Sequence, residues 1–366
     1  MTAMTTSTTL PEDLPPLDVT PGPVRAKPLP ADRPVRWGIL ATGKIATAMV
    51  RNLALIDECE VVAVGARRQE SADAFAAEHD VPRAYGDYRA LVEDPDVDVV
   101  YVASPHAKHR EHVELAFAAG KAVLCEKALT LDAAEAEHLV TLARERNLFL
   151  MEAMWMRCNP LVRRLQQLAA SGALGEVRQV RADLGFVVDK PATDRLLDRA
   201  LGGGALLDMG VYPLTFASLF LGEPSTITAV ASLSEAGVDL NLAIGLGYDS
   251  GAIASLTSSM TAWSPRTASI ATDRGRIDFP PAFHHPTRVT WTPMVGDPDF
   301  DGPLEPEVIT GELIGTGLAN EALEVARCLR SGETESPLVP LDDSLALMRQ
   351  MDTIRSQIGV RYAADA

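Results

Sequence analysis

From Val35 onward, short apolar runs alternate with helical stretches: "VRWGILA", "KIATAMVRNLALI", "EVVAVGA", "ESADAFAAEHD", "VDVVYVAS", "HREHVELAFAAG" and "AVLCE". The strand-like runs carry no polar stripe, as expected of strands buried on both faces by crossover helices. A doubly wound parallel α/β sheet is predicted over residues 34–155. After Leu150 the rhythm is lost. Beyond the helical "PLVRRLQQLAASGAL", the chain from about Val177 to Pro286 offers "VRQVRADLGFVV", "TITAVASLS", "DLNLAIGLGY", "GAIASLTSSM" and "TASIATDRGRIDF". Several of these alternate apolar and polar residues, the pattern of an antiparallel sheet with one exposed face. Residues 156–366 therefore read as an α+β domain, closed by the amphipathic helices "NEALEVARCLRSGE" and "DDSLALMRQMDTIRSQIG", the second opened by Asp342 or Asp343 as its cap.

The first 33 residues are dense in Pro, Thr and Asp and read as a disordered arm. The length of 366 residues with 47% hydrophobic content suits two domains with separate cores. A net charge of -17 disfavours a nucleic-acid backbone or an anionic membrane surface as partner, leaving small-molecule chemistry. Cys59, Cys125, Cys158 and Cys328 are scattered without metal-ligand spacing and read as reduced residues, three of them in apolar runs. No segment approaches the ~18 consecutive apolar residues of a membrane span, so a soluble, cytoplasmic protein is expected.

Five motifs can carry chemistry. "ATGKIA", Ala41, Thr42, Gly43, Lys44, Ile45 and Ala46, is a G-x-G-x-x-[GA] dinucleotide fingerprint with alanine at its first glycine. Gly43 would let the backbone approach a pyrophosphate, and the following helix N-terminus would supply amides and dipole; alternatively the segment is only a tight turn. About 20 residues on, where an acid would bind the ribose of NAD, stand Arg67 and Arg68. A guanidinium can grip a 2′-phosphate, so NADP(H) is favoured over NAD(H), although either arginine can instead be solvated at a helix start.

The third motif, "ASPHAKHREH", follows the strand "VDVVYVAS". Ser104 and Pro105 would turn over the nicotinamide side, with His106 and His109 facing either site or solvent; no acid or cysteine completes a metal set, and no metal is expected. Glu126 and Lys127 directly follow the buried strand "AVLCE", at the edge where open α/β sheets bind ligands. In "GGGALLDMGVYPL" three glycines open a helix that places Asp208 and Tyr212 on one face. The glycines serve either as a flexible joint or as part of a shared polar site.

"VRWGILATGKIA", "VVYVASPHAKHREH", "GKAVLCEKALT", "FLMEAMWMRCNP" and "GGGALLDMGVYPL", in this order and spacing, resemble the Gfo/Idh/MocA oxidoreductases, and most closely their branch of dimeric dihydrodiol and NADP-dependent xylose dehydrogenases. The resemblance covers the chain from about Val35 to its end. It implies a Rossmann domain binding NADP(H), then a domain with a large, mostly antiparallel sheet, one face of which makes a homo-oligomer interface. It implies Lys127 beside the nicotinamide, with Glu126 anchoring backbone or lysine and Tyr212 in the place where many members have histidine. Asp208 would orient the substrate hydroxyl or bond the glycine-rich turn, and Trp155 with Arg157 would wall the substrate pocket, unless Trp155 is core packing. Ala41 and Ala128 depart from the glycine and proline of the family pattern.

Hydride would pass between nicotinamide C4 and a carbon of a sugar or cyclic diol, with Lys127 and Tyr212 handling the proton. A ketoreductase of a nucleotide-linked 3-ketosugar would use the same pair, with Lys190, Arg195 and Arg199 as diphosphate candidates. A cofactor-binding sensor without turnover is the alternative of another class.

Overall fold

The computed structural model describes residues 10–11, 14, 23, 26–294, 296 and 304–362. Strands β1 (Val35–Leu40), β2 (Cys59–Gly65), β3 (Arg83–Tyr85), β4 (Val99–Val102), β5 (Ala122–Glu126) and β6 (Leu150–Ala153) form one sheet in the order β3-β2-β1-β4-β5-β6. Every pairing in it is parallel. Helices α1 (Lys44–Leu53), α2 (Gln69–His79), α3 (Tyr88–Val92), α4 (His109–Ala118) and α5 (Ala133–Arg146) supply the crossovers. Strand order reverses between β1 and β4, which opens a crevice at their C-terminal ends. β4, β5 and β6 are buried at every position, so their sequences show no alternation. β3 was not legible because three half-buried residues set no period. In β6 the apolar run is broken by Glu152, a buried carboxyl that accepts from Leu129 N at 3.1 Å and Ser344 Oγ at 2.6 Å.

α6 (Pro160–Ala170) starts the second domain. The Asn159 side chain caps it by accepting from the amides of Leu161 and Val162, with Pro160 at the first position, where no amide is needed. β7 (Val177–Gly185), α7 (Val211–Leu221), β8 (Thr226–Leu233), β9 (Asp239–Gly247), β10 (Ile253–Ser259), β11 (Ala268–Thr272), β12 (Gly275–Phe279), β13 (Arg288–Pro293) and β14 (Glu307–Thr310) follow. Their eight-stranded sheet, in the order β14-β13-β12-β11-β7-β10-β9-β8, is antiparallel except between β7 and β10. β10 alternates buried and exposed positions; α7 covers β7 and β10 on the buried side.

The closing helices α8 (Leu318–Ser331) and α9 (Leu341–Ile358) return to the first domain, α8 against α1 and α9 against α5 and β6. Pro340 stands at the N-cap of α9, and neither Asp342 nor Asp343 caps it. Both are first-turn acids that bind arginines: Asp342 meets Arg144 at 2.9 Å and Asp343 meets Arg157 at 2.7 Å.

The end of the N-terminal arm also departs from expectation. Ala26 N donates to Gly332 O at 3.1 Å, Leu29 N to Leu329 O at 3.0 Å, and Thr334 N to Pro23 O at 3.0 Å. Leu29 packs on the core, and the Arg33 guanidinium grips Asp98. These backbone bonds and the packing of Leu10, Leu14 and Leu29 on the core hold a proline-rich segment that composition alone assigns to disorder. Residues 1–9, 12–13, 15–22 and 24–25 of the arm lie outside the described residues.

Arg199–Leu221 is long and apolar enough to cross a membrane by length and composition, although polar residues interrupt it; most of it is buried inside the protein, as a core helix would be.

Candidate active site

β1 is followed by Ala41, whose amide donates to Gly65 O at 3.0 Å and whose φ is +87°, a left-handed conformation that favours glycine. That geometry explains why a dinucleotide fingerprint has glycine here. Gly43 stands at the N-cap of α1 with no side-chain cap, and a Cβ on it would meet nothing within 4 Å. Lys44 and Ile45 are exposed and Thr42 half-buried beside it. An open helix N-terminus whose first amides have no side-chain acceptor fits the pyrophosphate of a dinucleotide. Arg67 and Arg68 project into solvent at the C-terminal end of β2, Arg68 at the N-cap position of α2 with its guanidinium 3.5 Å from Ser71 Oγ.

Past β4, Pro105 precedes a short 3-10 turn, and all three histidines of the motif, His106, His109 and His112, turn inward. His106 Nδ1 lies 3.0 Å from Gly202 O and its Nε2 3.2 Å from Lys127 O. His109 Nδ1 lies 3.0 Å from Ala128 O and its Nε2 2.9 Å from Ser104 O. Burial pushes His106 down to about 4 and His109 to about 3, so both rings are neutral near pH 7. They were expected to face site or solvent; they face backbone carbonyls, to one of which a neutral ring with its single N–H donates, and they pack against the segment that carries Lys127. Ser104 Oγ bonds His112 Nδ1 at 2.8 Å. The peptide bond after Lys127, to Ala128, is cis.

Glu126 is buried at the strand end, accepting from the Tyr101 hydroxyl and from Lys127 N at 3.3 Å. Lys127 crosses to the second domain. Its Nζ donates to Asp208 O at 2.6 Å, stands 3.7 Å from Asp208 Oδ1, and lies 4.9 Å from the centroid of the Tyr212 ring. Burial pulls the lysine pKa down, but Asp208, Tyr212 and Glu126 together outweigh it and leave it raised. Asp208 also meets Arg195 at 3.2 Å. Burial would raise the Asp208 pKa, yet Lys127, Arg195 and His106 bring it down to about 2. Tyr212 is pushed up to about 12 by burial, with Lys127 pulling the other way.

Asp208 sits in a π-helical turn, Leu206–Gly210, that runs directly into α7 with Tyr212 in its first turn. Asp239 of β9 pins the start of that turn, its Oδ2 accepting from Leu206 N at 2.6 Å. The glycine run is not a flexible joint. A Cβ on Gly202 would lie 2.8 Å from His106 Cβ, and one on Gly204 would collide with the Asp239 carboxylate.

Trp155 lies in the 3-10 turn Trp155–Cys158 after β6, and its Nε1 donates to Tyr212 Oη at 2.8 Å. Arg157, in the same turn, is buried and committed to Asp343 of α9. It ties that turn to α9, and the structure does not bring it to Lys127 and Tyr212 as a pocket wall.

Residues 35–154 match the oxidoreductase family with NAD-binding Rossmann fold, and residues 162–278 match the GFO/IDH/MocA C-terminal domain. The chain belongs to the Gfo/Idh/MocA oxidoreductase family. It is therefore an oxidoreductase, which sets aside a sensor without turnover. A trans-1,2-dihydrobenzene-1,2-diol dehydrogenase of Bos taurus is 38% identical to this Gfo/Idh/MocA protein over 336 residues, 90% of this chain and 99% of the relative. Among solved structures, a 3-ketoreductase of Actinomadura kijaniata in complex with NADP and TDP-benzene matches with TM-score 0.78 and 30% identity, covering 89% of this chain and 98% of that one. An aldose-aldose oxidoreductase of Caulobacter crescentus complexed with glycerol matches with TM-score 0.78 and 26% identity over 89% and 97%.

Two residues of this Gfo/Idh/MocA protein's site escaped sequence reasoning. The His284 ring packs 4.8 Å from that of Tyr212, and His285 stacks on Trp155 at 5.1 Å. The only signal was the doublet "FHHP" between strands, too short to stand out. Asp239 was equally silent, as one acid opening an alternating strand.

Proposed function

We propose that the protein is an NADP-dependent dehydrogenase or reductase of a sugar or cyclic diol in which Lys127 and Tyr212 handle the proton. The observation that carries this reading is the Lys127 ammonium held against the Tyr212 ring by Asp208, at the C-terminal edge of the parallel sheet. The open N-terminus of α1 would hold the pyrophosphate, with Arg67 on the 2′-phosphate. Bound nicotinamide supplies or accepts the hydride.

The rest belongs to the chain. Tyr212, with a pKa near 12, is a protonated phenol at neutral pH and so a proton donor to a carbonyl oxygen being reduced. Lys127 remains charged beside it and favours the phenolate that donation leaves. Asp208, ionised between Lys127 and Arg195, fixes the lysine in place and is available to a substrate hydroxyl at its edge. His106 and His109 hold the backbone on which Lys127 is mounted.

Turnover of NADP⁺ with trans-1,2-dihydrobenzene-1,2-diol and with D-xylose, compared with NADPH turnover of a nucleotide-linked 3-ketosugar, tests the reading. Activity on the diol or pentose alone supports it. The nucleotide-sugar reading is favoured by the likeness to the 3-ketoreductase and by the exposed Arg195 beside Asp208, with Lys190 and Arg199 exposed on the same segment. Oxidation of none of the CH–OH substrates and reduction of the ketosugar alone would replace the first reading with the second.

Homo-oligomer formation belongs to the same proposal. Among the described residues one face of the second sheet is left exposed, with Val230 71% and Ile253 48% exposed on the face that also carries Arg181, Ser255 and Thr257, and a second copy of the chain is the occupant this reading assigns to it.

A further inference from the structure

The Trp155 indole has one polar hydrogen and no acceptor, and it gives that hydrogen to Tyr212 Oη at 2.8 Å. A residue that only walled a pocket would need its apolar face and nothing else. The indole is also held against turning away. His285 stacks on it with centroids 5.1 Å apart and planes 22° apart, and His284 meets it edge-on at 5.7 Å while also packing on the Tyr212 ring. The backbone closes in at Gly317, where a Cβ would come within 3.2 Å of indole Cε3. Residues from three other places in the chain, Tyr212, His284 with His285, and Gly317, thus converge on one orientation of one N–H bond.

We propose that Trp155 is a positioning residue for the proton transfer: its indole N–H stabilises the phenolate form of Tyr212 and turns the phenol hydrogen toward the substrate oxygen. The proposal rests on the reading that Tyr212 carries the proton. In reduction, the hydride of the reduced nicotinamide goes to the carbonyl carbon. The Tyr212 O–H bond breaks as the substrate O–H bond forms, and the electron pair stays on Oη between Lys127 and Trp155. A hydrogen bond to that oxygen is stronger once it is an anion, so the indole favours the product of the transfer over its reactant.

The other groups around Tyr212 do not duplicate this contact. Lys127, from the end of β5, stands over the ring, and Glu126 beside it opposes a phenolate. Asp208, one turn earlier on the same helix, also opposes it, and Tyr101 of β4 interacts with it at a distance. His284 is neutral, pushed down to about 3 by burial. Trp155 and Lys127 are the two groups that pull the Tyr212 pKa down against its burial.

The test places 3-fluorotyrosine at position 212 of the full chain and follows its ¹⁹F resonance with pH, with Trp155 and with Trp155→Phe. The phenylalanine keeps a ring against His285 and removes the N–H. The phenol pKa should rise by about one unit or more, the size of a hydrogen bond to a charged group. Trp155→His, which restores a ring N–H, should recover part of the shift and serves where the phenylalanine disturbs packing. A titration unmoved by both substitutions overturns the role of Trp155. Turnover of Tyr212→Phe separates the two levels: near-normal turnover would remove the proton-carrier reading itself, whereas an inactive Tyr212→Phe with an unmoved ¹⁹F titration removes only the part given to Trp155.

Discussion

Lys127 Nζ donates to the backbone carbonyl of Asp208 at 2.6 Å and stands 3.7 Å from the carboxylate of the same residue. A single residue of the second domain thus holds the lysine of the first by main chain and side chain together, and the lysine reaches the Tyr212 ring from that position. If the ammonium supplies the field in which Tyr212 gives up its proton, each depends on the other. Lys127→Met and Tyr212→Phe should each lower turnover by roughly 10²- to 10⁴-fold. The double variant should be barely worse than the worse single one, measured as kcat with saturating cofactor. Losses that multiply would show two independent roles.

Cofactor choice should depend on Arg67. It stands exposed at the end of β2, where a carboxylate would repel a 2′-phosphate. Arg67→Ala should weaken NADPH roughly tenfold to a hundredfold and leave NADH nearly unchanged, since a charge-assisted contact contributes about 1.5–3 kcal/mol. Fluorescence titration of both cofactors measures this, and equal affinities in the unaltered protein would remove the NADP preference.

The residues read most easily from sequence were those tied to regular structure. Glu126 and Lys127 could be placed because a fully apolar strand ends directly before them, and strand ends in a parallel sheet face ligand. Gly43 followed from the strand-turn-helix context in the same way. What stayed hidden depends on contacts between distant segments. Nothing local in "MWMRCNP" tells that Trp155 turns toward Tyr212 while Arg157 turns toward Asp343. The inward turn of His106 and His109 likewise requires the carbonyls of Gly202 and Ala128, which only the folded chain brings near. The closing helices were legible as helices, but their return to the first domain was not.

Asp239 should make stability fall as pH rises. Burial pushes its carboxyl up to about 6, against the pull of the Leu206 amide, while an unfolded aspartate titrates near pH 3.9. Between about pH 4 and 6 the folded protein holds a proton that the unfolded chain has released, so this group's contribution declines through that window and levels off above it. Asp239→Asn removes the titration. The stability difference, variant minus wild type, should therefore grow more favourable from pH 4 to pH 7 in urea denaturation. A difference that stays flat would show that Asp239 does not titrate there.

The end of the arm should contribute to stability and not to chemistry. Deleting residues 1–33 removes the backbone bonds to Gly332, Leu329 and Thr334, the Arg33 fork on Asp98, and the packing of Leu10, Leu14 and Leu29 on the core. Part of that ion pair is solvent-exposed and contributes little, while leucine burial contributes more, so the loss should be about 2–5 kcal/mol in urea denaturation, with turnover retained. An unchanged midpoint would show that these contacts contribute nothing.

Ala41 offers a gain. Its φ of +87° is a conformation that an L-residue with a Cβ adopts at a cost of about 1–2 kcal/mol, and glycine adopts freely. Glycine has more freedom to lose on folding, about 0.5–1 kcal/mol against alanine, so the two effects partly offset. Ala41→Gly should therefore stabilise the protein by up to about 1.5 kcal/mol, seen as a higher urea midpoint with an unchanged slope. NADPH affinity should hold or improve, because the amide of residue 41 keeps its bond to Gly65 and the turn relaxes toward the conformation it already has. A lower midpoint for Ala41→Gly would mean that the alanine methyl contributes more packing than its backbone conformation costs.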